Sequence, residues 1–205
     1  MVAMRNWVWG LLALTTACGS SRQAVKHEGT GGSGASPTVE ESAAESRSTT
    51  RRYVDEDLGF EIVRPTADWQ LDETNERTPE GLAIPVILRH SVSGAQVVLQ
   101  VAPAVASPTQ FAERLTEGLR QHPGFTTSDP APIPLSDTAV GFDFQVGDGV
   151  HGKVAVREGI PGRVLMMLAT WPAQAAEDVP RSVDALIQGV RPLAGPATAW
   201  RLPRR

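Results

Sequence analysis

The sequence predicts an α+β fold in which an antiparallel sheet is flanked by helices. Short apolar stretches separated by turn residues occur in both halves of the region 53–193, and these predict strands. Two segments of the same region carry apolar residues at helical spacing. Because the order is strands, helix, strands, helix, we expect an antiparallel sheet with helices packed on its faces.

Seven strands are predicted, four before the first helix and three after it. Their ranges are 60–63, 69–71, 86–90, 95–101, 140–146, 150–157 and 163–171. The second and third of the later strands are each preceded by a glycine-rich turn, Gly147-Asp148-Gly149 and Gly159-Ile160-Pro161-Gly162. The last strand is almost continuously apolar, which indicates a central strand covered on both faces.

The two predicted helices each have start and stop signals. Ser107 suits the N-cap of the first helix, Pro108 its first position and Gln110 a capping box. Its buried stripe is Phe111, Leu115 and Leu119, and the helix ends before Pro123. The second helix is predicted over 179–190, with Asp178 as its cap and its apolar residues on one face.

The first 17 residues resemble a bacterial lipoprotein signal peptide. Arg5 precedes an apolar run at 7–17, which is shorter than the about 20 residues of a spanning helix. Ala17 then precedes Cys18, the only cysteine of the chain. The resemblance implies cleavage before Cys18 and acylation of its sulfur, and Gly19 at the next position favours the outer membrane. The alternative is an ordinary secretory signal followed by an unmodified cysteine.

The remaining chain divides into three parts by composition. Residues 18–52 are rich in Gly, Ser, Thr and Glu and poor in large apolar residues, so we expect a lipidated cysteine followed by a disordered linker. Residues 53–193 are the size of one globular domain. Residues 194–205 carry Arg201, Arg204 and Arg205 without an acidic residue, and we expect a basic flexible tail.

The domain also resembles the PsbP-like family. The resemblance begins with Gly59-Phe60-Glu61-Ile62-Val63-Arg64-Pro65 followed by Trp69. It continues through the helix after Ser107-Pro108, the strands at 140–171 and the closing helix, and so covers 53–193. It implies an α/β/α sandwich and a non-catalytic accessory or partner-binding role, with no shared catalytic residues to transfer.

The charge of the domain is strongly acidic. Residues 53–193 contain 19 acidic and 10 basic side chains, which disfavours nucleic acid as a partner because its phosphates would be repelled. The acids concentrate at the start of the domain. The candidates for docking a partner protein of the envelope are Asp55, Glu56, Asp57, Asp72, Glu73 and Glu76. A merely solvated acidic face and a weak cation site are the alternatives.

Two glycine motifs could suggest nucleotide binding. Residues 29–34 match G-x-G-x-x-G but lie in the predicted linker, without the strand and helix that the phosphate site requires. Residues 147–153 match G-x-x-x-x-G-K, but Val154 stands where Ser or Thr would bind magnesium. The following residues predict a strand, so the segment is interpreted as a hairpin turn and no nucleotide is expected.

The histidines suggest a second hypothesis, an enzyme or a metal-binding protein. None of the four is spaced from another as zinc ligands usually are, so no metal or other cofactor is expected. A site built from His90 and His151, with Asp143 or Asp148, would make the protein an envelope hydrolase or a metal-binding protein. The main hypothesis has no catalytic residues and describes a lipid-anchored, non-catalytic accessory domain of the cell envelope.

Overall fold

The computed structural model describes residues 51–78 and 80–194. The signal peptide, Cys18 and nearly all of the predicted linker and basic tail lie outside the described residues, so those predictions stay predictions. The first strand begins at Arg52, immediately before the predicted domain start at Tyr53.

Eleven strands and two helices form the described part of the chain. The strands are β1 Arg52–Asp55, β2 Phe60–Val63, β3 Trp69–Arg77, β4 Ala83–His90, β5 Gln96–Pro103, β6 Phe125–Thr127, β7 Ala131–Pro132, β8 Val140–Val146, β9 Val150–Glu158, β10 Arg163–Pro172 and β11 Val190–Pro192. The helices are α1 Pro108–Arg120 and α2 Asp178–Gly189.

The strands form one large and one small antiparallel sheet. The large sheet has the order β3-β4-β5-β10-β9-β8-β6, and β7 pairs with β8 beside β6. The small sheet has the order β1-β2-β11. As its apolar sequence predicts, β10 is central, since it pairs with β5 on one side and β9 on the other. The strands β1 and β3 each lie at the end of their own sheet order.

The predicted α/β/α sandwich is wrong. Within the described residues the fold is mostly β, with 47% strand and only two short helices beside an eight-stranded sheet. Seven strands side by side are about 29 Å wide at 4.8 Å per interval, whereas one helix is about 10 Å across. A single helix on a face therefore cannot form a layer over the sheet. The sandwich implied by the PsbP-like resemblance is corrected in the same way.

One face of the large sheet packs against α2 and the small sheet. Trp69, Leu88 and Leu165 from the large sheet are fully buried in this core. Val183 and Leu186 reach it from α2. From the small sheet, Phe60 and Ile62 of β2 and Val190 of β11 enter the same cluster. The small sheet thus covers area that a further helix would cover in the predicted sandwich.

The opposite face packs against α1. The predicted stripe Phe111, Leu115 and Leu119 meets a core that includes Phe142 and Phe144 of β8. Ser107 forms the predicted capping box with Gln110, whose backbone N–H donates to the serine Oγ at 3.2 Å. Neither of the helices within the described ranges is long and apolar enough to cross a bilayer.

The second helix begins one residue earlier than predicted. Its N-cap is Glu177, which makes no side-chain capping hydrogen bond, and Asp178 is its first helical residue. The prediction that Asp178 is the cap is therefore wrong. A carboxylate in the first turn still interacts favourably with the helix dipole. The acidic residue therefore correctly indicates the start of a helix, although it lies in the first turn and not at the cap.

Candidate functional site

A cleft of about 460 Å³ lies between the small and the large sheet. We call it the acidic cleft. Its walls come from β1 and the turn after it, from β3, and from the start of β4. The residues that line it are Tyr53, Asp55, Asp57, Leu58, Glu73, Thr74, Asn75, Glu76, Arg77, Ala83, Ile84 and Pro85. Its volume falls within the about 300–1,000 Å³ that is usual for binding clefts.

A bulge in β3 brings two glutamates to the cleft. Glu73 pairs with Val86 and Glu76 pairs with Ile84, so the register shifts between the two glutamates. In a regular strand, residues three apart point to opposite faces of the sheet. The extra residue of the bulge reverses that relation, and both glutamates line the cleft. Thr74 supports the bend, because its Oγ1 accepts from the Glu76 backbone N–H at 2.9 Å.

The opposite wall is held by the turn between β1 and β2. The Oδ1 of Asp55 accepts a hydrogen bond from the Leu58 N–H at 2.8 Å, and its backbone oxygen accepts from Gly59 at 2.8 Å. An aspartate that bonds the backbone a few residues ahead is a typical turn former. This turn fixes Asp55 and places Asp57 beside it on the wall of the cleft.

The surroundings of Tyr53 favour its neutral phenol. Burial, together with the nearby charges of Glu73 and Asp55, raises the pKa of the phenol to about 12. A hydrogen bond to Glu73 acts in the same direction, because it favours the protonated phenol. Tyr53 is therefore neutral at physiological pH and serves as a donor in a site dominated by acceptors.

The carboxylates of the cleft have no cationic partner among the described residues. Asp55, Asp57, Glu73 and Glu76 form no salt bridge there. Arg77 is the one basic residue in the described lining, and its Nη1 donates to the Gly81 carbonyl at 3.1 Å. The cleft thus presents four carboxylates against one guanidinium, an arrangement suited to a cationic ligand or peptide.

The six predicted docking acids separate into two groups. Asp55, Asp57, Glu73 and Glu76 line the acidic cleft, and Glu56 and Asp72 do not. Asp72 instead forms an ion pair with Arg89 of β4. Adjacent residues of a strand point to opposite faces, so Asp72 and Glu73 could not serve the same surface. Cys18, the predicted lipidation site, lies outside the described residues.

Sequence reasoning missed Tyr53 and the apolar part of the lining. Tyr53 is the only tyrosine of the chain. It lies in β1, whose four residues are too few to give a recognisable strand pattern in the sequence. Ile84 and Pro85 belong to β4, which begins at Ala83 and so extends before the predicted strand start at Val86. The signal in the sequence that could have indicated the β1 side of the cleft is a tyrosine two residues before a run of acidic residues.

The residues of the predicted hydrolase or metal site do not form one constellation. His90 accepts at Nδ1 from the Ser93 backbone N–H at 3.3 Å and contacts the Ser93 Oγ at 2.9 Å, within the turn after β4. His151 stacks on Trp171 with ring centroids 6.4 Å apart. In the described ranges, neither histidine forms an ion pair with a carboxylate.

The two predicted aspartates of that site have other surroundings. Asp143 lies 3.9 Å from the Nζ of Lys153, which binds Asp184 of α2 at 2.6 Å. Asp148 lies in the turn between β8 and β9, the hairpin predicted from Gly147-Asp148-Gly149. Across residues 51–78 and 80–194, no three His, Cys, Asp or Glu side chains are grouped so that they could hold a metal ion.

No family model matches the chain, and no curated protein matches it either.

Proposed function

We propose that this protein is a lipid-anchored, non-catalytic accessory protein of the bacterial cell envelope, and that its domain binds a basic partner protein in the acidic cleft. The observation that carries the proposal is the set of four carboxylates in that cleft without a salt bridge among the described residues. Carboxylates that form no ion pair among the described residues can attract a basic partner without first breaking a salt bridge there.

The chemistry of the cleft favours binding over catalysis. Its described lining contains no histidine, cysteine or serine. Tyr53 is a less acidic phenol than usual, because burial and two neighbouring carboxylates raise its pKa to about 12. A phenol of this kind is a poor nucleophile at neutral pH but a stable hydrogen-bond donor. Its position beside the carboxylates suits recognition of a peptide that carries both a cation and a carbonyl.

The anchoring part of the proposal rests on the amino-terminal sequence. Arg5, the apolar run at 7–17 and Ala17 before Cys18 are typical of a lipoprotein signal peptide. Two or more acyl chains on one cysteine give stable membrane attachment, since each buried methylene contributes about 0.8 kcal/mol. A linker of about 34 residues then spans roughly 30 Å, enough to hold the domain away from the lipid headgroups.

The anchor is tested by replacing the thiol. Cys18→Ala in the full-length chain is expected to move the protein from the membrane pellet to the soluble or precursor fraction after fractionation. Mass spectrometry of the wild-type amino terminus should show a chain that begins at an acylated Cys18. A mature chain with an unmodified thiol would refute the lipid anchor while leaving the binding role of the domain intact.

The binding role is tested with a photocrosslinker in the cleft. Benzoylphenylalanine replaces Asn75 in cells that express the full chain, and a control places it at Val92, which is 81% exposed in the turn after β4. We expect a discrete protein adduct from position 75 that is absent from position 92. Glu73→Gln with Glu76→Gln should reduce its yield about five-fold, because two exposed ion pairs together contribute about 1 kcal/mol.

A matched charge control completes this experiment. Glu113→Gln with Glu117→Gln removes the same charge from the exposed face of α1 and should leave the adduct unchanged. An adduct that forms equally well from position 92, or that is insensitive to neutralisation of Glu73 and Glu76, would show that the acidic cleft is not the docking surface.

A further inference from the structure

We infer that Arg157 and Arg191 together bind a phosphate group where the large and the small sheet meet. Arg157 is the penultimate residue of β9 in the large sheet, and Arg191 is the middle residue of β11 in the small sheet. Neither arginine belongs to the described lining of the acidic cleft, so this inference stands apart from the docking of a basic partner.

A hydrogen bond between the two sheets brings these arginines to the same place. The Nη1 of Arg157 donates to the backbone carbonyl of Val190 at 3.1 Å, and Val190 directly precedes Arg191. The half-buried guanidinium of Arg157 therefore lies against the backbone of β11, from which the exposed side chain of Arg191 projects. One ligand beside β11 can then contact both guanidinium groups.

Arg157 has two further donors that no described residue accepts from. Its Nε is buried without a partner, and its Nη2, also without a partner there, reaches solvent. Nε and Nη2 form the fork with which a guanidinium binds an oxyanion. Arg52 uses the same two atoms to bind Glu61. Because buried charged donors in folded proteins are nearly always paired, the fork of Arg157 indicates an anion that approaches from the Nη2 side.

No carboxylate of the described chain neutralises either arginine, since neither forms a salt bridge there. Glu61 lies opposite Arg191 in the register of β2 and β11. Its Oε2 is already held by Arg52, whose Nε and Nη2 donate to it at 2.9 and 2.7 Å. Glu158 follows Arg157 directly and so points to the opposite face of β9. The two arginines thus form a cationic spot in an otherwise acidic domain.

The pKa of Arg157 reflects the same surroundings. Burial, and after it the positive charge of Arg191, lowers this pKa below the ordinary value of a guanidinium. Arginine is still charged at neutral pH, so both effects disfavour the cation. A phosphate between the two groups opposes both effects, because it replaces lost hydration and offsets the repulsion between like charges. Two forked cations match the charge of a phosphate dianion better than that of a single carboxylate.

Phosphate titration of the detergent-solubilised full chain tests the site. The ¹⁵Nε–Hε signals of the two arginines are assigned from their loss in Arg157→Lys and Arg191→Lys, and they are followed at constant pH while inorganic phosphate is added. We expect both signals to move along one saturating curve with a Kd of about 1 mM, as for a few charge-assisted hydrogen bonds at a partly exposed site. Sodium chloride at equal ionic strength should leave them in place, and sodium acetate should bind more weakly.

A matched pair of variants separates the site from net charge. Arg191→Ser should weaken phosphate binding at Arg157 about five-fold, and the exposure of Arg191 keeps the fold intact, which circular dichroism checks. Arg114→Ser removes an exposed arginine from α1, on the other face of the large sheet, and should leave the affinity unchanged. Equal losses in the two variants would overturn the inference. Unmoved arginine signals, or acetate that binds as tightly as phosphate, would overturn it as well.

A second ligand identifies the source of the phosphate. Glycerophosphoglycerol carries the phosphodiester headgroup of an anionic phospholipid without its acyl chains. Tighter binding of this compound would assign the site to a lipid headgroup, tighter binding of inorganic phosphate to a free phosphate or monoester, and binding of neither would refute the site. The partner adduct from position 75 is measured without these ligands, so the failure of one proposal leaves the other standing.

Discussion

The indole Nε1 of Trp69 donates a hydrogen bond to the Oγ of Ser182 at 2.9 Å, across 113 residues of sequence. Trp69 is fully buried at the start of β3 and packs edge-on against His90, with ring centroids 5.1 Å apart. Ser182 lies on α2. The bond therefore ties this helix to the edge strand that forms one wall of the acidic cleft.

Removing the acceptor from this pair should destabilise the domain. Ser182→Ala leaves a buried indole N–H without a partner, and we expect a loss of about 1–3 kcal/mol in the free energy of unfolding. Urea unfolding followed by circular dichroism measures it. Ser136→Ala removes the same atom from an exposed turn and should change stability by less than about 0.5 kcal/mol. Equal effects of the two variants would contradict the role of the pair.

A second prediction concerns the close contact between β8 and β9. A Cβ on Gly152 would lie 2.1 Å from the Cζ of Phe144, whose ring is buried beneath α1. Neither the ring nor the strand can move freely, so Gly152→Ala should cost about 1–3 kcal/mol. Gly149→Ala, in the adjoining turn, meets no atom within 4 Å and serves as the control. Thermal unfolding should show a lower midpoint for the first variant alone.

Local signals in the sequence predicted elements well and their layering poorly. The capping box at Ser107 and the apolar run of β10 are both encoded by residues close together in the sequence. The structure contains the capping box, and it places β10 between two strands. The small sheet was not predicted as a sheet. Its edge strands β1 and β11 have four and three residues. β1 pairs with β2 across a short turn, whereas β11 reaches β2 from the far end of the domain sequence.

The same reason limits what could be predicted of the site. Acidic residues near the start of the domain indicate a negative surface, but Asp72 and Glu73 point to opposite faces only because β3 continues to Arg77, beyond the predicted end at residue 71. The bulge that brings Glu73 and Glu76 together is set by pairing with β4. Tyr53 faces these residues only because two separate sheets meet, which no local pattern encodes.

A third prediction tests the start of α1. Ser107→Ala removes the side chain that accepts from the Gln110 N–H at 3.2 Å, and N-cap losses of this kind cost about 0.5–2 kcal/mol. Thr109→Ala lies in the same first turn, is exposed and is not the cap, so it should be nearly neutral. Denaturant unfolding of the two variants checks the difference. A Thr109→Ala loss as large as that of Ser107→Ala would point to the first turn in general and away from the cap.

Burial of Tyr53 beside the cleft carboxylates also makes the stability of the domain depend on pH in the alkaline range. The pKa of Tyr53 is raised to about 12 in the folded state, above the ordinary value of about 10 for the unfolded chain. Between these values the folded protein holds a proton that the unfolded chain has lost. The stabilisation is therefore complete below pH 10 and is lost as the pH rises towards 12. Because the ring is partly exposed, solvent screening reduces the size of this stabilisation.

Titration of the single tyrosine tests the cause of this shift. Absorbance near 295 nm in the full chain should give a midpoint well above 10 while circular dichroism shows that the domain is folded. Glu73→Gln removes a negative charge beside the phenol and weakens the bond that favours its protonated form, so the midpoint should fall. Glu113→Gln on α1 should leave it in place. If Glu73→Gln also titrates like wild type, burial alone sets the pKa of Tyr53. The cleft carboxylates would then be too well screened to attract a basic partner.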